Sequence, residues 1–254
     1  MMATAEKSTI GTRSKIVATL GPVSSSLEAI EQLVEAGVDV FRLNMAHGIR
    51  AEHETSIARI RDCSVRRRRP VAVLVDLAGP KIRLGELAHD PYECQVGKEI
   101  HFIRGETSDC ESSFTTNYGR LIDELSTGDR IMLADGVVEL KVLDASQDEA
   151  VCQVIEGGTI RSRQGVNLPG VALSVPAMTE DDFGNAHWAA ELGADFISLS
   201  FVRSPEEIVD LKKLVRSHSS QAMVIAKIEK REALERLDEI ILASDGIMVA
   251  RGDL

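Results

Sequence analysis

The sequence predicts an α/β fold: an incomplete TIM-type (β/α)8 barrel, with about six of the eight strands, carrying an inserted all-β barrel domain. Three observations predict it. Apolar runs of strand length alternate with stretches of helical periodicity at both ends of the chain. Between residues 81 and 176 that rhythm gives way to short apolar runs separated by Gly, Asp and Ser turns. Polar and charged residues gather where successive strand-like runs end, which in a parallel barrel is the rim where active sites are built. An open doubly wound sheet would also place ligands at strand ends, but it usually has a glycine-rich first turn, and neither GxGxxG nor GxxxxGK[ST] occurs here.

Residues 1–14 are polar and read as a flexible N-terminus. Residues 15–20 read as a short buried strand broken by Gly21 and Pro22. Ser24, Ser25 and Ser26 offer a cap to a helix whose stripe is Leu27, Ile30, Leu33 and Val34, stopped at Gly37. A strand over 38–43 ends in Arg42 and Asn44. A helix over 52–62 leads into the basic run Arg66 to Arg69, read as a solvated helix end, and then into a strand over 71–75 that ends at Asp76. Within the interruption, strands are expected at 99–103, 130–133, 137–142 and 150–154. The domains are therefore 15–80 with 177–254 for the barrel and 81–176 for the insertion.

After the insertion, Thr179 and Asp182 cap a helix that closes at Gly193, and 196–202 form a strand in which Ser198 and Ser200 share a face. Ser204, Pro205 and Glu207 start the next helix. Two apolar runs, 223–226 and 246–250, flank a helix with Leu234, Leu237, Ile240 and Ile241 at helical spacing.

With 254 residues and 44% hydrophobic content, the chain can bury a sizeable core. A formal charge of -11 argues against nucleic acid as a partner. Cys63, Cys94, Cys110 and Cys152 have neither metal-ligand nor redox spacing, so no disulfide is expected. No signal region or membrane-spanning run is present, which predicts a cytoplasmic protein with no membrane partner.

The last two strands each end in a charge pair spaced by two, Lys227 with Glu229 and Arg251 with Asp253. Residues two apart on a strand point to the same face, and charges that close a buried strand are costly unless they meet water, a partner or a ligand. Glu229 and Asp253 are hard oxygen donors suited to Mg2+, and Arg42, Lys227 and Arg83 supply positive charge around them. A divalent ion with Lys and Arg serves phosphoryl transfer and enolate stabilisation alike, and these residues do not choose between the two.

KIVATLGP (15–22), VDVFRLNMAHG (38–48), VDLAGPKIRLG (75–85), GVNLPG (165–170), DFISLSFVR (195–203), AKIE (226–229) and SDGIMVARGDL (244–254) resemble the pyruvate kinase family, in its order and spacing. The resemblance implies phosphoryl transfer from phosphoenolpyruvate to ADP, giving pyruvate and ATP in glycolysis. It implies that Arg42 binds the substrate phosphate, that Lys227 stabilises the phosphoryl group and the enolate, and that Glu229 and Asp253 hold Mg2+ or Mn2+. The Gly252 backbone and Asp253 would contact substrate; Asn44, His47 and Arg83 would contact the nucleotide. Asn44 and Asp76 would lie in the family's monovalent-cation region, and 81–176 would be its lid domain. Ser198 and Ser200 are weaker candidates. A homotetramer is implied for the full-length form.

This sequence departs from the family where Ala46 and Leu77 replace a serine and a threonine near K+, and where Gln164 replaces a lysine before GVNLPG, so that either Arg161 or Arg163 serves the nucleotide instead or ADP affinity is lower. The chain stops just after Asp253, so the resemblance implies a C-terminally truncated chain, expected to be poorly soluble and nearly inactive alone because of its open sheet edges. The alternatives are an inactive fragment that binds a partner through those edges, and a Mg-dependent lyase or aldolase acting on pyruvate enolate. The insertion speaks against the latter. Lys81 replaces the glutamate of K+-dependent members and resembles the K+-independent group, in which a fixed ammonium substitutes for the ion. Turnover in buffer free of K+ and Na+ is accordingly expected to match turnover with K+, and a strong K+ requirement would overturn this.

Overall fold

The computed structural model describes residues 14–134, 136–171 and 173–250. It divides into two compact units, Met1–Gly79 with Ala177–Leu254, and Pro80–Pro176. The first unit opens with β1 (Ile16–Thr19), α1 (Leu27–Glu35), β2 (Val38–Asn44), α2 (Arg50–Arg67) and β3 (Ala72–Asp76). Ser26 accepts from the Ala29 N–H to start α1, which turns Ile30 and Val34 inward, and Gly37 leaves the helix at φ 111°.

The second unit holds β4 (Tyr92–Cys94), β5 (Glu99–Ile103), β6 (Ser113–Phe114), the single-turn α3 (Leu121–Glu124), β7 (Arg130–Leu133), β8 (Val138–Ala145), β9 (Glu149–Glu156), β10 (Gly158–Ile160) and β11 (Val166–Asn167). Its main sheet has the order β11-β7-β8-β9-β5-β6, antiparallel except for the β5–β6 pair. Alternate residues of β5 and β9 face inward, bringing Ile100, Phe102, Ala150, Cys152 and Val154 into one core. Phe102 and Phe114 meet edge to face at 6.0 Å.

The first unit resumes with α4 (Glu180–Glu191), β12 (Phe196–Leu199), α5 (Pro205–Ser217), β13 (Met223–Ile228), α6 (Arg231–Glu235), α7 (Leu237–Ala243) and β14 (Gly246–Val249). Its strands form a six-stranded, wholly parallel sheet in the order β1-β2-β3-β12-β13-β14. A parallel sheet needs helical crossovers, and its central strands read as near-continuous apolar runs. Accordingly Val73, Val75, Ile197, Leu199, Val224 and Ala226 are buried, with Ile60 of α2, Ala189 of α4 and Leu211 of α5 in the same core.

Several expected elements differ. β1 is not buried: Ile16 and Val17 are half exposed, because this strand pairs only with β2 among the described residues. α2 runs through Arg67, and the basic run is less solvated than its composition implies, since Arg69 donates to Asp39 and to the Val34 carbonyl. The strand expected at 196–202 stops at Leu199. The helix expected between the last two strands breaks at Arg236 into α6 and α7, leaving Leu234 and Ile241 half exposed while Ala233 and Ile240 are buried. The apolar stripe is wider than the face that finds a partner. Among the described residues, no helix is long and apolar enough to cross a membrane.

Asp245, just before β14, ties that strand to the sheet: its Oδ2 accepts from the Val224 N–H at 2.8 Å and its Oδ1 from Lys212 Nζ at 2.7 Å. Burial works against its ionisation, yet the Lys212 ammonium and the Val224 N–H hold its carboxyl below the usual carboxylate range. A lowered folded-state pKa stabilises the fold above the unfolded value and is lost as pH falls through the folded one. Asp245→Asn should therefore lower the thermal midpoint at pH 7 by about 2–4 °C for each kcal/mol lost. The gap between variant and parent should close below about pH 4; melting curves across pH 3–8 check both.

Candidate active site

The sheet delivers polar side chains to the C-terminal ends of four adjacent strands. Asn44, Asp76 and Ser198 lie in one row across β2, β3 and β12, fixed by the pairings Asn44 with Asp76 and Ser198 with Asp76. Arg42 lies two residues before Asn44 on β2, Ser200 follows β12, Lys227 is in the last turn of pleat of β13, and Glu229 follows it. Asp76, Ser198, Ser200, Lys227 and Glu229 are all buried.

These groups form one connected network. Asp76 Oδ2 accepts from Arg42 Nε at 2.7 Å and is ion-paired with the adjacent guanidinium nitrogen, while Arg42 reaches Thr19 Oγ1 through its other terminal nitrogen at 3.0 Å. Asp76 Oδ1 accepts from Ser198 Oγ at 2.6 Å and lies 3.5 Å from Lys227 Nζ. Lys227 Nζ also contacts Glu229 Oε1 at 2.8 Å and donates to Ser200 Oγ at 2.9 Å. Glu229 Oε2 accepts from the Phe201 N–H at 2.7 Å. Two cations thus face two carboxylates, which satisfies the requirement that buried charges be paired.

The exit from β12 is strained. Phe201 adopts φ 54°, rare for a bulky residue, and this turn aims its N–H at Glu229. Gly79, at φ 70°, lies against it: a Cβ there would come within 2.8 Å of the Phe201 ring and 3.1 Å of Ser200 Cβ. The Gly79 N–H is held by Asp182 Oδ1 at 3.2 Å, and the other oxygen of Asp182 caps α4 through Thr179.

Of the residues singled out from the sequence, Arg42, Asp76, Lys227 and Glu229 are brought together, with Ser198 and Ser200 between them. Asn44 spends its side-chain oxygen on the Ala46 N–H at 3.1 Å, and His47 is exposed, its carbonyl 2.9 Å from His53 Nε2. Arg83 belongs to the second unit, where it donates to the Arg163 carbonyl at 3.1 Å. In that unit Lys81 is exposed, Gln164 accepts from the Arg161 N–H, Arg161 faces Asp90, and Arg163 pairs with Glu86. Arg251, Gly252 and Asp253 lie outside the described residues. Sequence reasoning missed Asp76 as the hub between Arg42 and Lys227, and Thr19 as a partner of Arg42. The signal available was a carboxylate closing a wholly apolar strand.

Glu229 suits a hard divalent cation. A carboxylate has about four acceptor positions, and Lys227 and Phe201 each engage one oxygen, which leaves room for a metal bond. Among the described residues no three Asp, Glu, His or Cys side chains cluster as a metal site.

A parallel α/β sheet with a buried Lys–carboxylate–Arg network at its strand ends places this chain among α/β proteins whose polar groups gather at the carboxyl ends of the strands. The family model described as pyruvate kinase, barrel domain, matches residues 11–254, and the chain belongs to the pyruvate kinase family. It is 44% identical over 245 residues to a pyruvate kinase of Mycobacterium intracellulare, covering 95% of this chain and 51% of that relative. A pyruvate kinase of Thermotoga maritima is 42% identical over 240 residues, with 94% and 52% covered. A crystal structure of a pyruvate kinase from Cryptosporidium parvum superposes with a TM-score of 0.89 at 30% identity, covering 94% of this chain and 51% of that one. The chain spans about half the length of the curated relatives it matches.

Gly79→Ala would force a Cβ against the Phe201 ring in an unfavourable backbone conformation. Overpacking and left-handed strain each cost about 1–3 kcal/mol, so the variant should melt several degrees lower, measured by circular dichroism.

Proposed function

We propose that this chain carries the phosphoryl-transfer site of a pyruvate kinase, which moves the phosphoryl group of phosphoenolpyruvate to ADP and releases pyruvate and ATP. The observation that supports it most is the network in which Asp76 joins Arg42 to Lys227, and Lys227 pairs in turn with Glu229, at the ends of adjacent parallel strands. Membership of the family supports the same reaction.

In this reading Arg42 binds the substrate phosphate. A guanidinium has five N–H donors; Nε and one terminal nitrogen serve Asp76 and the other terminal nitrogen serves Thr19, so donors remain for an anion. Lys227 places a desolvated ammonium where negative charge develops, first on the phosphoryl oxygens and then on the enolate oxygen. Glu229, with Asp253, would hold Mg2+ or Mn2+, which when bound supplies Lewis-acid charge to the same oxygens. The Phe201 N–H and Lys227 fix the Glu229 carboxylate before any ion arrives. The Gly252 backbone and Asp253 are assigned to substrate, Asn44 and His47 to the nucleotide. Arg83, in the second unit, keeps the nucleotide role its motif implies. Asn44 and Asp76 keep the monovalent-cation region, with K+ not required where Lys81 stands.

The finer architecture belongs to the same reading: residues 15–80 and 177–254 form part of an eight-strand barrel, and 81–176 an all-β module inserted after β3. The full-length enzyme is cytoplasmic and homotetrameric.

The test is pyruvate release by the full natural gene product from phosphoenolpyruvate, ADP and Mg2+, coupled to NADH oxidation. Activity that needs both ADP and the divalent ion is expected. Pyruvate formed without ADP would point to enolate chemistry of another kind. Lys227→Met should lower kcat by about 10²–10³-fold, the usual effect of losing one oxyanion-stabilising group, and a kcat within tenfold of the parent would overturn its assigned role.

A further inference from the structure

We infer that Ser200 and Ser198 are positioning residues for this reaction, Ser200 holding the Lys227 ammonium and Ser198 orienting Asp76 and, through it, Arg42. The inference rests on the function proposed above.

The hydrogen-bond direction at Ser200 is forced. Its Oγ lies 2.6 Å from the Leu77 carbonyl, which can only accept, so the hydroxyl proton goes there. The lone pairs of Oγ are left for Lys227 Nζ at 2.9 Å. Among the described residues, the other groups paired with Nζ are Glu229 and Asp76, both carboxylates. Ser200 is thus the neutral acceptor that holds a long, flexible side chain between two anions without adding charge of its own. With that acceptor removed, both remaining attractions draw the ammonium toward carboxylates and away from the place where substrate charge develops.

Ser198 acts on the other end of the network. It donates to Asp76 Oδ1 at 2.6 Å, while Oδ2 takes Arg42 Nε at 2.7 Å. Each oxygen of Asp76 has its own donor, so the Ser198 hydroxyl sets the rotation of the carboxylate that aligns the guanidinium. Both serines are buried among apolar neighbours in the chain, Ile197 and Leu199, so each hydroxyl needs a hydrogen-bond partner. A serine that merely packs would bond backbone alone, whereas both of these bond ionisable side chains of the site.

The roles predict opposite kinetic splits in the full natural gene product. Ser200→Ala should lower kcat by about tenfold or more, the usual effect of deleting a hydrogen bond to a charged group, with KM for phosphoenolpyruvate within about twofold of the parent. Ser198→Ala should raise KM for phosphoenolpyruvate by about tenfold and leave kcat within about threefold. Mn2+ affinity, read by electron paramagnetic resonance in the absence of substrate, should be unchanged in Ser198→Ala, whose hydroxyl bonds Asp76 and not Glu229, and should fall in Ser200→Ala, where the ammonium is drawn toward Glu229. Should Ser200→Ala fold poorly, Ser200→Cys, which fills the site with a slightly larger side chain and only a weak acceptor, should show the same kcat loss. An active parent with Ser200 variants within twofold of its kcat, or with both serine variants moving kcat and KM in parallel, overturns the inference while leaving the proposed function intact. A parent that fails to transfer phosphate overturns both.

Discussion

The interaction on which the rest of this unit depends is the buried charge balance around Asp76. Its carboxylate is almost fully enclosed, yet it holds Arg42 on one oxygen and has Ser198 and Lys227 at the other. Removing one of the charged members would cost a buried charge one of its partners, a larger penalty than the net worth of the pair. The parallel sheet satisfies this by register: Asn44, Asp76 and Ser198 stand in a row, and Lys227 and Glu229 arrive from the next strand. The apolar core beneath, from Phe41 to Ile240, keeps those strand ends in place.

Strain gathers at the same end of the sheet. The left-handed Phe201 gives up a favourable backbone conformation so that its N–H meets Glu229, and Gly79 gives up a side chain so that the Phe201 ring can lie against it. Such conformations cost about 1–3 kcal/mol and persist where surrounding structure over-determines them. Here the constraint comes from the cap of α4, since Asp182 holds both Thr179 and the Gly79 N–H. A helix start and a strand end are therefore coupled through one buried carboxylate.

Much of the local structure could be read directly. Ser26, Thr179 with Asp182, and Pro205 with Glu207 mark helix starts, and Gly37 and Gly193 mark ends, because capping and left-handed conformations depend on a few adjacent residues. The strands at 99–103 and 130–133 were legible from alternation alone. The short strands β4, β6, β10 and β11 were not, since two or three residues carry no period. The break at Arg236 and the exposure of β1 escaped for a different reason: they depend on what is packed alongside, which the local pattern does not contain.

The same division holds for the site. Period-two geometry placed Lys227 and Glu229 on one face of a strand and Arg42 beside Asn44, and motif order pointed to the family, all from neighbouring residues. Which charge meets which was decided only by tertiary structure. Arg42 and Asp76 are 34 residues apart and Ser198 and Asp76 are 122 apart, so their contacts follow from strand order and register across the sheet. The apolar runs and helical stripes of the sequence determined that a parallel sheet would form and where its polar ends would fall. The closing of those ends into one neutral, hydrogen-bonded network required the strands to lie side by side, because pairing a buried charge is a property of the space around it.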